Sequence, residues 1–459
     1  MAPAQKPLLK LEEKDVVLIK PSKSSPSSVL PLSTLDNRPD VNFLCQTVHV
    51  YRPTVHDSDS IDPAQVVKEA LSKALIYYYP LAGRLVRHGD GKLRVLCDEE
   101  EYGVPFIEAV ASCSLSSVDY LDGADTEFAR HLVFDLPTED EQGYQYPLVI
   151  KLTKFLCGGF TIGLGMSHSV VDGIGGFQFF RAVVELASGR SEPSVKPVWE
   201  RHRLVGLKSI TDEETLTRQP MNNASSAVSP FLPKDELIQV CFKVSGETLK
   251  RLKWSLEKES NDGSIVTSFE SLGAYVWRSR TRALEQNNDG KTQFSFLVGA
   301  RKHLLHESPL LEGYYGNAIV DAYVVLTVKE LNKMSLSDIV KRIKEAKKAA
   351  FAADYVKNFM NTKESNPVVD FTLYGNGAII FLTEWKHVGF SQDVDFGGNE
   401  AVNMVPAPSG LFGGPPSCIF APPNKLDDPS MKGGVRIFTT LPVDAVAKFR
   451  KEMEAMNAI

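Results

Sequence analysis

Met166-Ser-His-Ser-Val-Val-Asp-Gly173 stands where an alternating apolar run ends and a helical pattern begins. Upstream, Phe160, Ile162, Leu164 and Met166 recur at every second position, the period of a strand, with Gly163 and Gly165 between them. Downstream, Phe177, Phe180 and Val184 fall at the spacing of a buried helix face, and Gly189 is placed to cap it. His168 is thereby delivered to the end of a strand, four residues before Asp172, and the neighbouring glycines permit close backbone approach. Histidine titrates near neutral pH, so it can take a proton from a hydroxyl or amine and later return it. The plain alternative is a satisfied histidine buried at a strand end. Asp172 has two open readings: it orients the imidazole, or it faces away and holds the loop through an arginine.

Outward from this stretch, 459 residues exceed what one hydrophobic core usually supports, which predicts two domains. The chain is 43% apolar and 24% charged, ordinary for a globular protein. Its 51 lysines and arginines against 57 aspartates and glutamates give −6, so no global basic field invites nucleic acid or an anionic membrane. The N-terminal text lacks an apolar core of signal-peptide length, no window reaches a membrane span, and Met456-Asn-Ala-Ile459 matches no retention or peroxisomal address. Six cysteines never fall in a CxxC spacing, against a disulfide scaffold and a structural zinc site. Asn223-Ala-Ser is an isolated glycosylation sequon. A cytoplasmic monomer is the expectation.

Three stretches organise the chain. Residues 1–190 form an N-terminal domain carrying the histidine. In it Asp62-Pro63 opens a helix with Val67, Ala70, Leu71 and Ala74 on one face, stopped by Pro80 and Gly83. Residues 191–233 carry Pro193, Pro197, Pro220, Pro230 and Pro233 in polar text and read as a long crossover, with a short helix near Asp212. Residues 234–459 restart as a C-terminal domain. Strands are expected at Leu237–Val244, Phe294–Val298 and Gly377–Leu382, and helices after Ser245, after Thr267 or Ser268, from Ser335 to Phe351, and from Pro442. Helices and strands mix throughout, which gives an α/β or α+β class.

The chemistry is narrowed by what is missing from the sequence. Gly165-Met-Ser-His-Ser169 lacks the last glycine of a nucleophile elbow, and Gly173-Ile-Gly-Gly176 lacks the rest of a dinucleotide fingerprint. His303 and His306 stand three apart with no third ligand, so no metal is expected. A base without a nucleophile suggests direct attack by the substrate's own hydroxyl.

His168-Ser-Val-Val-Asp172-Gly resembles the HxxxDG signature of the plant BAHD acyl-CoA-dependent acyltransferases. Leu32-Ser-Thr-Leu-Asp-Asn37, Tyr79-Pro-Leu-Ala-Gly-Arg84, the helix Thr267–Arg278 and Tyr314-Tyr-Gly-Asn317 are similar to further family segments, in family order over nearly the whole chain. Asp395-Phe-Gly-Gly-Asn399 stands for DFGWG with its tryptophan and last glycine replaced. Lys154–Phe160 and Pro197-Val-Trp-Glu-Arg201 look most like the alcohol-acylating branch, which includes benzyl alcohol and taxane acyltransferases.

The resemblance implies two chloramphenicol-acetyltransferase-like α/β domains, each a mixed sheet with flanking helices, meeting along a channel. It implies that His168 deprotonates an alcohol, which attacks an acyl-CoA thioester directly, without a covalent intermediate. An amine acceptor, or a non-catalytic acyl-CoA-binding relative, is the alternative. Acyl-CoA is then a co-substrate, with no permanent cofactor. Asp172 would pair with Arg301 as a structural anchor. Thr383, in Thr383-Glu-Trp385, would donate to the oxyanion, or else bond its own backbone. Trp385 would wall the acceptor pocket. On the CoA side stand Asp395, Gly397 and Ser268, the last at a helix N-terminus where it contacts CoA or only caps. Lys341, Lys344, Lys347 and Lys348 could meet a nucleotide phosphate of CoA, but read better as a solvated helix face.

Overall fold

The protein is represented by a computed structural model. It describes residues 10–54, 62–98, 102–122, 128–135, 139, 142–208, 221–233, 236–260, 263–301, 310–367, 369, 372–389, 396, 398–407 and 417–459. Asp395, Gly397, His303, His306 and the text near Asp212 lie outside these residues.

Two large mixed sheets with helices against them make an α/β fold. Across the first sheet run Leu11–Glu13, Val104–Ala111, Leu148–Lys154, Phe160–Ser167, Leu44–Pro53 and Asn399–Pro406, with Val17–Ile19 also on Val104–Ala111. Only the Val104–Ala111 and Leu148–Lys154 neighbours are parallel. The second sheet runs Leu237–Val244, Val435–Pro442, Ser417–Ala421, Ile379–Glu384, Lys291–Gly299 and Ile319–Thr327, parallel on both sides of Ile379–Glu384. A small sheet of Ser28–Pro31, Leu93–Cys97 and Arg84–Arg87 stands beside them. Asn399–Pro406 comes from the second half of the sequence but pairs antiparallel with Leu44–Pro53, Val405 opposite Val48.

The strand Phe160–Ser167 is buried at all eight positions, between Leu148–Lys154 and Leu44–Pro53. Its alternation therefore separates large from small rather than core from solvent. A Cβ on Gly163 would lie 2.1 Å from the Leu132 carbonyl, and one on Gly165 2.6 Å from Val149, so the small face receives chain that larger residues would push away. The helix Gly173–Ala187 follows, with Asp172 as its N-cap accepting from the Gly175 N–H at 3.0 Å, and Gly189 just past its end at φ +88°. It packs on Pro63–Ala74, whose N-cap is Asp62.

Each half has its own core. Phe179, Phe180, Leu71 and Phe106 fill the first, and Trp277, Phe294, Phe296 and Phe449 the second. A third cluster joins Val48, Val50, Val402 and Val405 to Ile419, Ala421 and Phe438, an apolar seam between the two sheets. Burying one such side chain is worth about 1.5–3 kcal/mol, so the seam binds the halves through many modest contributions. Among the described residues no helix is long and apolar enough to cross a membrane.

Candidate active site

The two halves enclose a cavity of about 790 Å³. His168, Phe43 and Cys45 line it from the first half, and Ser268, Thr383 and Trp385 from the second. His168 is the first residue beyond its strand, so the strand fixes its main chain while the turn releases its side chain toward the cavity.

The turn that carries it is pinned residue by residue. The His168 N–H donates to the Phe43 carbonyl at 2.9 Å, and its own carbonyl accepts from Asn317 Nδ2 at 2.7 Å. The Val170 carbonyl accepts from Arg201 Nη2 at 2.7 Å. Asp36, fully buried, gathers both clamps: its Oδ1 accepts from the Asn317 main-chain N–H and Nδ2, and both of its oxygens accept from Arg201 Nη1 at 3.0 Å. Arg201 is itself buried against the rings of Trp199, Tyr314 and Tyr315, 4.3–5.3 Å from their centroids. The LSTLDN, PVWER and YYGN segments, far apart in sequence, thus meet at the back of the histidine turn.

Asp172 points away from the imidazole. Arg301 grips it with two hydrogen bonds of 2.7 Å, and the main-chain N–H groups of Gly175 and Ala318 add 3.0 and 3.2 Å contacts. Burial alone would raise the Asp172 carboxyl, but the Arg301 charge and these four donors hold it below its ordinary value. No hydrogen bond joins it to His168.

Burial lowers the His168 pKa below its ordinary 6.5; its own main-chain carbonyl and the Asp172 charge oppose that shift without reversing it. The imidazole is therefore neutral at pH 7. Nδ1 is buried and has no partner in hydrogen-bond geometry among the described residues, so the contact with its own carbonyl falls short of a full bond. Nε2 is left as the nitrogen to meet a substrate. The Cys45 thiol on the same wall is pushed up to about 11 by burial, so it stays protonated and a poor nucleophile.

Thr383, near the end of Ile379–Glu384, lines the cavity with a hydroxyl that bonds no described residue. The backbone-bonded alternative for it is not what the structure shows. Trp385 follows, its N–H on the Phe420 carbonyl at 2.7 Å and its ring facing both the cavity and the inter-sheet seam. Thr267, not Ser268, is the N-cap of Ser268–Ala283, in a capping box with Glu270, so Ser268 is the first helical residue on the cavity wall. Lys347 departs from the solvated-face expectation: it pairs with Glu270 and reaches the cavity, while Lys344 bonds Ser264. Among the described residues no cluster of histidine, cysteine and carboxylate side chains is placed to hold a metal ion. Asn317, Arg201 and Asp36 escaped assignment from sequence, although all three sit inside motifs quoted for their resemblance. The bonds from Asp36 to Arg201 and Asn317, and from Asn317 to the His168 carbonyl, span 149–281 residues, which no local pattern encodes.

A family model described as "Transferase family" matches residues 9–456. Spermidine coumaroyl-CoA acyltransferase of Arabidopsis thaliana is 39% identical, with 100% of this chain and 99% of that protein covered. Taxadien-5-alpha-ol O-acetyltransferase of Taxus chinensis is 31% identical, over 96% and 95%. The crystal structure of vinorine synthase superposes with a TM-score of 0.72 at 19% identity, over 97% of this chain and 98% of that one, a likeness of fold. Nitrogen- and oxygen-acylating enzymes both stand among the relatives, so the alcohol branch is not singled out. The chain belongs to the transferase family of BAHD acyltransferases, enzymes that take acyl-CoA as co-substrate.

Proposed function

We propose that the enzyme acylates an amine, moving the acyl group of an aromatic acyl-CoA onto nitrogen to give an amide and free CoA. The chemistry is carried by one observation: a neutral His168 on the wall of a cavity built from both halves, hydrogen-bonded to no serine or cysteine among the described residues. The amine acceptor is supported by the 39% full-length identity to a spermidine acyltransferase, against 31% to a taxadienol acetyltransferase. An alcohol is the second reading, favoured by that latter relative and by the segments at Lys154–Phe160 and Pro197–Arg201.

In this reading the nitrogen lone pair attacks the thioester carbon, the C–N bond forms, and the carbonyl π electrons move to oxygen. Thr383 donates its unused hydroxyl hydrogen to that oxyanion, an interaction stronger in the transition state than in the ground state. His168 takes the proton from nitrogen as the bond forms. Collapse of the intermediate breaks the C–S bond, and the proton passes from His168 to the leaving sulfur. Trp385 walls the acceptor side, Ser268 stands toward CoA, and the Asp172–Arg301 pair fixes the turn. Asp395 and Gly397 keep their assignment to the CoA side.

CoA-thiol release measured with coumaroyl-, benzoyl- and acetyl-CoA against panels of amines and alcohols tests this. Turnover confined to alcohols would overturn the amine reading and leave the acyl-transfer chemistry standing. CoA binding without turnover in any pairing would favour a non-catalytic relative.

A further inference from the structure

His168 Nδ1 meets its own main-chain carbonyl, short of full hydrogen-bond geometry, so the strength of that contact depends on where the carbonyl is held. Asn317, fully buried, holds it. One Nδ2 hydrogen of Asn317 goes to the His168 carbonyl at 2.7 Å. The other goes to Asp36 Oδ1 at 2.8 Å, where the Asn317 main-chain N–H also arrives at 3.0 Å. Both groups facing the amide nitrogen are acceptors, so only one orientation of the amide fits. In that orientation Asn317 Oδ1 is sealed in the core with no partner among the described residues. A buried oxygen left unbonded costs stability, a cost the fold bears while aiming two N–H donors.

The main chain on either side of Asn317 is fixed by the pair that anchors the histidine turn. The Gly316 carbonyl accepts from Arg301 Nη2 at 2.9 Å, and the Ala318 N–H donates to Asp172 Oδ2 at 3.2 Å. A Cβ on Gly316 would lie 1.5 Å from Arg201 Nη1, so Arg201 passes flush against the backbone at this point. The same Arg201 nitrogen locks both oxygens of Asp36 at 3.0 Å. Every group that aims the Asn317 amide is thus itself held, and the aim ends on the carbonyl beside Nδ1.

We infer that Asn317 is a positioning residue for the general base: by fixing the His168 carbonyl against Nδ1, it keeps the imidazole proton there and leaves the Nε2 lone pair to the acceptor. A neutral imidazole carries its proton on either nitrogen, and the hydrogen bond made by one decides the state of the other. A carboxylate on Nδ1–H makes that choice in a serine-protease triad. Here Asp172 faces away, and the carboxylate behind the base is Asp36, acting through the Asn317 amide and a main-chain carbonyl. A neutral carbonyl selects the tautomer without placing a charge against the ring. This rests on His168 being the base, and holds for an amine or an alcohol acceptor alike.

Nitrogen NMR of enzyme labelled in its imidazole rings reads the tautomer directly at pH 8, with the His168 signals identified by their loss in His168→Ala. In the wild-type enzyme the proton is expected on Nδ1; a proton on Nε2 would overturn the proposal without any variant having to fold. Two variants then test Asn317 itself. Asn317→Leu keeps the shape and removes both side-chain donors, and Asn317→Ser leaves one short hydroxyl near Asp36. Each should move part of the His168 population to the Nε2–H form and lower kcat by about tenfold to a hundredfold, with KM for both substrates little changed. A kcat loss with the tautomer unmoved, or a moved tautomer with kcat unchanged, would overturn the assignment. So would failure of both variants to fold, which would place Asn317 in the frame of the fold instead. Undiminished turnover by His168→Ala would strike the base on which the proposal rests.

Discussion

Asp172→Asn separates a structural aspartate from a catalytic one. Asparagine is about as good an N-cap as aspartate, so the substitution leaves the start of Gly173–Ala187 supported and removes mainly the charge that Arg301 meets. Asp172 has 3% and Arg301 19% of the side chain exposed, so the stranded guanidinium has little water to turn to. Removing one partner of such a pair costs about 3–5 kcal/mol. Urea unfolding followed by tryptophan fluorescence at pH 7 should register that loss. Arg301→Met should cost a comparable amount, and the double variant much less than the sum, because each single change destroys the same interaction. The sign with pH follows from the depressed Asp172 value: its contribution is complete above the unfolded carboxyl value near 3.8 and fades as pH falls through the folded one. The gap between wild type and variant should thus persist from pH 7 to about 5 and close only under acid conditions. A variant that unfolds like the wild type while kcat drops by about 10⁴, as for a lost dyad carboxylate, would refute the reasoning.

Three further outcomes are expected. Thr383→Val, which keeps shape and deletes the free hydroxyl, should lower kcat by about 10²–10³ with KM little changed; a KM effect alone would remove Thr383 from the oxyanion. The acid limb of kcat/KM, expressed per concentration of neutral amine, should lie below 6.5, since burial lowers the His168 value; activity is full above it and lost as pH falls through it, and a limb at or above 6.5 would contradict the buried neutral base. Gly175→Ala should destabilise by about 1–3 kcal/mol in chemical denaturation, because its Cβ would stand 1.9 Å from the Tyr315 carbonyl, which is backbone; an unchanged midpoint would show that the helix start yields easily.

The elements with strong local signals were legible in sequence. The helix capped by Asp62, the strand ending at Ser167, the helix between Ser335 and Phe351 and the one opening at Pro442 all lie within a few residues of where period and caps put them. The cavity itself was not legible, because it is made where two halves meet. Arg38, Asp36 and Asn317 are ordinary polar residues until Asp321, Arg201 and the His168 carbonyl are brought to them. Thr267 and Ser268 both suit an N-cap, and only the reciprocal bond from Glu270 decides between them. Lys347 sat in an apparently solvated row, since the partner that pulls it to the cavity edge, Glu270, belongs to another helix.

The strand Asn399–Pro406 has a consequence for how this protein comes into being. Leu44–Pro53 needs it as a neighbour, yet about 350 residues of chain separate the two. As the polypeptide leaves the ribosome, the first sheet carries an open edge until about seven-eighths of the protein has been made. An open edge is a template for pairing with the wrong chain. Successful production should therefore depend on chaperone capacity and slow synthesis, and the first half expressed by itself should aggregate unless a peptide spanning Asn399–Pro406 is supplied.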